Sequence, residues 1–239
     1  MGCIRRNQEP LHFWRSLVGA VALTAMVVLA ATPAGTADLS KEQQLVNKAR
    51  MTWENFAASP ILRSELHDWF RVAKGFFIVP QVIKGAAGVG VAGGKGVLLV
   101  RDEKTGEWSY PAFYTARSLS VGLQVGGDVS EVVFVVRSQR GLEQFYGSQF
   151  KVGMNIGVAA GPMGGGMGLE GLTADLFVYA RAKGAFVGTA VKAGRIAVMD
   201  KANQAYYGRP VKPTDILVEK TVSNPQAQDL RDAVAQGMR

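Results

Sequence analysis

Residues 84–102 read KGAAGVGVAGGKGVLLVRD, and the role of their glycines decides the fold. Gly88, Gly90 and Gly93 spell G-x-G-x-x-G. As a dinucleotide site that pattern needs a helix whose N-terminus opens on the phosphates. Gly96 instead leads into Val97-Leu98-Leu99-Val100, an aliphatic run of β character. No acid suited to a ribose hydroxyl stands on a second strand of a βαβ unit. The Walker A pattern fails as well, with Val89 in place of its first glycine and Gly96 after Lys95 where Ser or Thr belongs. No nucleotide is expected. Glycine inside strands marks bulges, tight bends or close backbone approach. Gly85, Gly88, Gly90, Gly93, Gly94 and Gly96 therefore read as corners of a strongly bent sheet.

The β pattern extends from Phe76 to Met199. Expected strands cover 76–83, 86–93, 96–101, 108–115, 119–126, 130–137, 151–159, 174–182, 185–192 and 195–199. The polar DEKTGE stretch, 102–107, makes 96–115 a hairpin. Ahead of the sheet, 40–57 reads as an amphipathic helix, with Ser40 and Gln43 at capping-box spacing and Leu45, Ala49, Trp53 and Phe56 in its stripe. A second helix starts at Ser59-Pro60 and carries Leu62, Leu66, Trp69 and Phe70 up to Gly75. Short helices are expected at 141–147 and 201–207. The last is announced by Asn224-Pro225 and faces inward through Leu230, Ala233 and Val234. GPMGGGMG, 161–168, is an irregular loop. The fold class is α+β: a strongly bent, glycine-rich, mainly antiparallel sheet or barrel-like core, with N-terminal helices and a C-terminal helix.

The chain has 239 residues. Arg5, Arg6 and Arg15 precede the apolar LVGAVALTAMVVLAA, and Gly35 and Ala37 flank a cut before Asp38. That succession is the layout of a secretory signal over residues 1–37, leaving one domain over 38–239 in the periplasm or outside the cell. An uncleaved anchor is the alternative. Cys3 would leave with the signal, which removes disulfide and thiol chemistry from the remainder. His12 and His67 are the only histidines, so no zinc site of the usual kind, no cofactor and no hydrolase triad can be assembled. Ser120-Val-Gly122 resembles the end of a nucleophile elbow, but Ser118 replaces the first glycine. An enzyme is not expected.

Charge is unevenly spread. The net +8 becomes +6 without the signal. Residues 74–101 carry Lys74, Lys84, Lys95 and Arg101 with no acid. Residues 176–199 carry Arg181, Lys183, Lys192 and Arg195, again with no acid. These eight cations are the expected lipid-binding residues, converging on one basic face that meets an anionic membrane surface. Aromatic side chains that could stack bases are sparse, Tyr179 and Phe186 being the main ones, so nucleic acid is not the expected anion.

AKGFFIVPQVIKG, GGKGVLLVRD, WSYPAF, GLQVGG, AAGP, VYARAKGAFVG and ANQAYYG succeed one another along the chain. In that order they resemble SYLF-domain proteins, also described as lipid-binding or yeast-type actin-binding domain proteins. The resemblance covers about residues 45–218 and rests on positions such as Lys74-Gly75, Pro80, Trp108-Ser109, Gly161-Pro162 and Tyr207-Gly208. It implies a non-enzymatic domain that binds acidic phospholipid or phosphoinositide headgroups. In fungal relatives it implies actin-filament binding, and with it the alternative of a structural or protein-interaction domain.

Overall fold

The chain divides into two units, Met1–Asp38 and Leu39–Arg239. The computed structural model describes Gly2 and residues 39–60, 71–84, 92–119, 129–160, 173–182, 185–187 and 194–237. The expected signal, the expected helix bearing His67 and Trp69, the expected loop over 161–168 and most of the strand expected over 119–126 lie outside the described residues. So do Gly85, Gly88, Gly90, Lys183 and Lys192.

The second unit opens with α1 (Lys41–Ala57). Four strands come next: β1 (Gly75–Lys84), β2 (Ala92–Val100), β3 (Ala112–Leu119) and β4 (Val129–Val136). After α2 (Gln139–Gln144) come β5 (Gln149–Val152), β6 (Val158–Ala160), β7 (Leu176–Ala182), β8 (Ala185–Val187) and β9 (Gly194–Val198). The end is helical: α3 (Asp200–Tyr207), α4 (Pro213–Leu217), a 3-10 turn over Pro225–Ala227, and α5 (Gln228–Gln236). The sheet runs β5-β9-β3-β2-β1-β4-β7-β6, with β8 also on β7. Its ladders are antiparallel except β6 on β7.

The outermost strands of that order, β5 and β6, are consecutive in sequence. Residues 153–157 turn between them, with Gly153 at φ 83° and Val152 bridging to Ile156. The two ends of the sheet therefore return to one place, and its course is nearly closed, as the glycine-rich pattern implied. The single strand expected over 151–159 is corrected here: a left-handed glycine, in a conformation that L side chains tolerate poorly, splits it in two. The strand expected from 108 starts only at Ala112, because Trp108 makes an isolated bridge with Arg101. The Ser109 hydroxyl accepts the Val100 N–H at 3.0 Å instead of leaving it to a ladder. The hairpin itself stands as β2–β3, its loop held by Asp102 accepting from the N–H groups of Lys104 and Thr105.

Runs such as FFIV, VLLV and VVFVV are apolar at every position because the sheet is covered on both faces. Strand alternation sorts them into two clusters. Phe77, Leu98, Tyr114, Phe134 and Val178 point inward with Phe145 and Ile196. Phe76, Ile78, Leu99, Phe113 and Val135 point outward, beneath Val46, Ala49, Trp53 and Phe56 of α1 and Leu230 and Val234 of α5. Trp53 is core: its ring centroid lies 4.4 Å from that of Phe76, and its Nε1–H donates to the Ala233 carbonyl. Ser40 caps α1 by accepting the Gln43 N–H, as the spacing predicts. The reciprocal arm of a capping box is not made, because the Gln43 side chain is buried elsewhere. It donates to Asn47 and the Gln226 carbonyl and accepts the Tyr206 hydroxyl, tying α1 to the C-terminal helices.

Asp175 locks the closure. Its carboxylate, with 5% of the side chain exposed, takes Ser138, Arg140 and the Gly157 N–H, joining the start of α2 to the start of β6. Burial pushes its pKa up, but the Arg140 guanidinium, the Ser138 hydroxyl and the Gly157 N–H together hold it below the ordinary value. A depressed folded pKa contributes stability above the unfolded pKa of about 3.9, lost as pH falls through the folded value. Asp175→Asn is expected to cost about 1.5–3 kcal/mol at neutral pH, the range for hydrogen bonds to a charged group. It should also flatten the stability profile below about pH 4. Urea unfolding at pH 7 and pH 3 checks both, and an unchanged acid slope refutes the assignment.

Candidate anionic-ligand interface

On the outer face, β3, β9 and β5 set three cations directly opposite one another. Arg117 pairs in register with Arg195, and Arg195 with Lys151. All three side chains are exposed, while Ala116, Ile196, Phe150 and Val152 on the same strands point inward. Opposed positions on neighbouring strands bring Cβ atoms to about 5 Å, so the row spans roughly 10 Å. Lys95 extends it: it faces Thr115 on β3, one diagonal step from Arg117. Like charges in such a row oppose folding. Among the described residues no carboxylate pairs with any of the four. The Arg195 guanidinium donates to the Gln149 side chain at 3.2 Å, a contact that orients without neutralising. A band of uncompensated charge, built where the fold gains nothing from it, suits an anion outside the chain.

The eight expected site residues fall in several places. Lys95 and Arg195 belong to the band. Lys84 closes β1 opposite Ala92, at the end of the hairpin nearest Lys95. Lys74 and Arg101 lie together at the other end of β1 and β2, where Arg101 N–H donates to the Lys74 carbonyl. Lys74 pairs with Glu103, and the Arg101 guanidinium donates to the Arg71 carbonyl. Arg181 sits on β7 and pairs with Glu131 at 3.2 Å, the same carboxylate that receives Thr52 and Asn55 of α1. Lys183 and Lys192 are outside the described residues. Arg117 and Lys151 were missed by the charge windows. Their signal is parity alone: Ala116 beside Arg117, and Phe150 and Val152 on either side of Lys151, face inward.

Other motif positions have structural work. Pro80 is the extra residue of a bulge in β1, out of register with both β2 and β4, where its missing N–H is not needed. Gly208 ends α3 at φ 72°. Tyr207 donates to the Pro111 carbonyl at 2.7 Å. Burial raises the Tyr207 phenol far above its ordinary pKa, so it stays a neutral donor. Gly93 lies inside β2, so no helix N-terminus stands behind it to receive a pyrophosphate. Among the described residues no group of three His, Cys, Asp or Glu is placed to hold a metal.

A helix-clad, nearly closed sheet with a basic band on its outer face defines a class of α+β domain, and comparison with known proteins places it. The family described as "Ysc84: Las17-binding protein actin regulator" matches residues 117–237. Human SH3 domain-containing YSC84-like protein 1 is 32% identical over 164 residues, covering 66% of this chain and 47% of that protein. The Xenopus laevis protein of the same name is 28% identical over 159 residues, 64% of this chain and 47% of its own. LAS seventeen-binding protein 3 of Saccharomyces cerevisiae is 32% identical over 149 residues, 59% of this chain and 32% of its own. The chain belongs to the Ysc84 family, the SYLF-domain proteins that its motifs resemble. It spans about half or less of the length of these relatives.

Proposed function

We propose that this domain is a non-enzymatic binding module whose Lys95–Arg117–Arg195–Lys151 band docks on acidic phospholipid. The band carries the reading, because four exposed cations in adjacent registers lack a carboxylate among the described residues. Each cation near an anionic bilayer contributes about 1 kcal/mol, so four together hold a peripheral protein. On the expectation that residues 1–37 direct export, the bilayer is one of the cell envelope. Trp53, being buried, adds no insertion to the docking. Attraction of this kind is screened, the Debye length falling from about 10 Å at 0.1 M salt to about 3 Å at 1 M. Co-sedimentation with phosphatidylcholine vesicles is expected only when phosphatidylglycerol is included, and should disappear between those salt concentrations. Equal sedimentation with neutral vesicles, or none at low salt, refutes the reading.

A second reading comes from the family's description and the name of the yeast relative, which refer to Las17 or LAS seventeen binding. The same band then meets an acidic protein surface or a filament. Salt-sensitive pelleting with actin filaments, without vesicle binding, is the outcome that favours it.

A further inference from the structure

Between α1 and the strands it crosses runs a groove of about 400 Å³, within the range of small-molecule sites. Its bed is apolar. Leu45 comes from α1, Ile83 and Pro80 from β1, Phe113 from β3, and Met199 precedes α3. Ile83 is 54% exposed there, a large aliphatic side chain that the core does not use. The rim is basic: Lys41 and Lys48 stand a helical i, i+7 step apart on α1, and Lys95 faces them from β2. All three are exposed, and none pairs with a carboxylate among the described residues. Glu42 is the one acid lining the groove, so its lining carries a net surplus of two positive charges.

An apolar bed under three unpaired ammonium groups is complementary to an amphiphilic anion, and to neither a bare anion nor a neutral chain. We infer that this groove holds one acyl chain whose carboxylate or phosphate head sits among Lys41, Lys48 and Lys95. The inference rests on the proposed lipid docking and makes it specific, adding a site for a single lipid molecule to a surface for many. Lys95 belongs to both, so a chain held in the groove presents its head beside the membrane-facing band. The chain can come from a free fatty acid or a lysophospholipid, or from a phospholipid still in the bilayer.

Calorimetric titration of the full chain below micellar concentrations tests it, with dodecanoate, dodecanoyl lysophosphatidate and neutral dodecyl maltoside as probes. Saturable binding of one anionic amphiphile per chain is expected, at least about tenfold tighter than the maltoside. Ile83→Asp/Lys95→Glu should weaken it about tenfold or more. Lys41→Glu/Lys48→Glu, changed only at exposed helix positions, should do the same with α1 intact. Equal affinity for the maltoside, no saturation by either anion, or unchanged binding in both folded variants overturns the inference. Phosphatidylcholine–phosphatidylglycerol vesicles separate the sources: competition by dodecanoate for vesicle binding places a bilayer chain in the groove, and its absence assigns the groove to the free anion. Vesicle binding without amphiphile binding refutes the groove and leaves the band's role standing. Amphiphile binding without vesicle binding refutes the band's role and retains the groove.

Discussion

Arg117→Glu/Lys151→Glu/Arg195→Glu should abolish sedimentation with anionic vesicles, weakening binding by more than about 100-fold. Three cations at about 1 kcal/mol each give about 3 kcal/mol, and reversal adds repulsion to their loss. A single change, Arg195→Glu, is more telling. Arg195 is the middle of the row, so its reversal turns two like-charge contacts into two attractive ones, Arg117 with residue 195 and residue 195 with Lys151. Opposed charge pairs across strands contribute roughly 0.2–1 kcal/mol each. The variant should therefore be more stable in urea, even after losing the bond to Gln149, while its vesicle binding falls about 30-fold, from about 2 kcal/mol of changed attraction. Opposite signs for stability and docking are what a functional band predicts. A variant that loses stability and keeps vesicle binding assigns the band a structural role and refutes the docking face.

The contrast between fold and site explains what could be read in advance. The strand centres were legible because both faces of the sheet are buried there, so that β1, β2, β4 and β7 carry the apolar runs FFIV, VLLV, VVFVV and LFVYA. Ser40 and Asn224 were legible because capping is local: each side chain accepts an N–H two or three residues ahead. The five-residue helix α4 was missed, since Lys212 is not an ordinary cap and Asp215 returns to its backbone at 2.8 Å without a hydroxyl partner to announce it. The band was half legible. Acid-free windows select Lys95 and Arg195, but they also select Lys74 and Arg181, whose carboxylates come from outside the windows, Glu103 just past one and Glu131 from another strand. Arg117 and Lys151 join one row only because β9 inserts between β3 and β5, with Arg195 pairing across 78 residues to Arg117 and 44 to Lys151, which no local pattern encodes.

Gly94→Ala and Gly96→Ala should each lower the melting temperature by about 5–10 °C, though each adds one methyl group. Both glycines sit on the inner side of β2, opposite the bulge that Pro80 makes in β1. A Cβ on Gly94 would lie 2.2 Å from the Gln81 carbonyl oxygen and 2.8 Å from Val79 Cγ1. On Gly96 it would lie 2.4 Å from the Ile78 oxygen and 2.8 Å from Phe77 Cε2. The two oxygens are main-chain atoms of a central strand, hydrogen-bonded on both sides, so they cannot withdraw as a flexible side chain would. Overpacking at such sites costs about 1–3 kcal/mol, and a domain of this size loses about 2–4 °C per kcal/mol. Gly147→Ala is the control: its Cβ would meet only the Gln144 oxygen at 3.7 Å, an ordinary contact, and its melting temperature should barely move. Thermal unfolding followed by circular dichroism decides between them. If Gly94→Ala and Gly96→Ala melt with the control, the glycines are not there for strand approach, and another reason for the G-G-K-G spelling must be found.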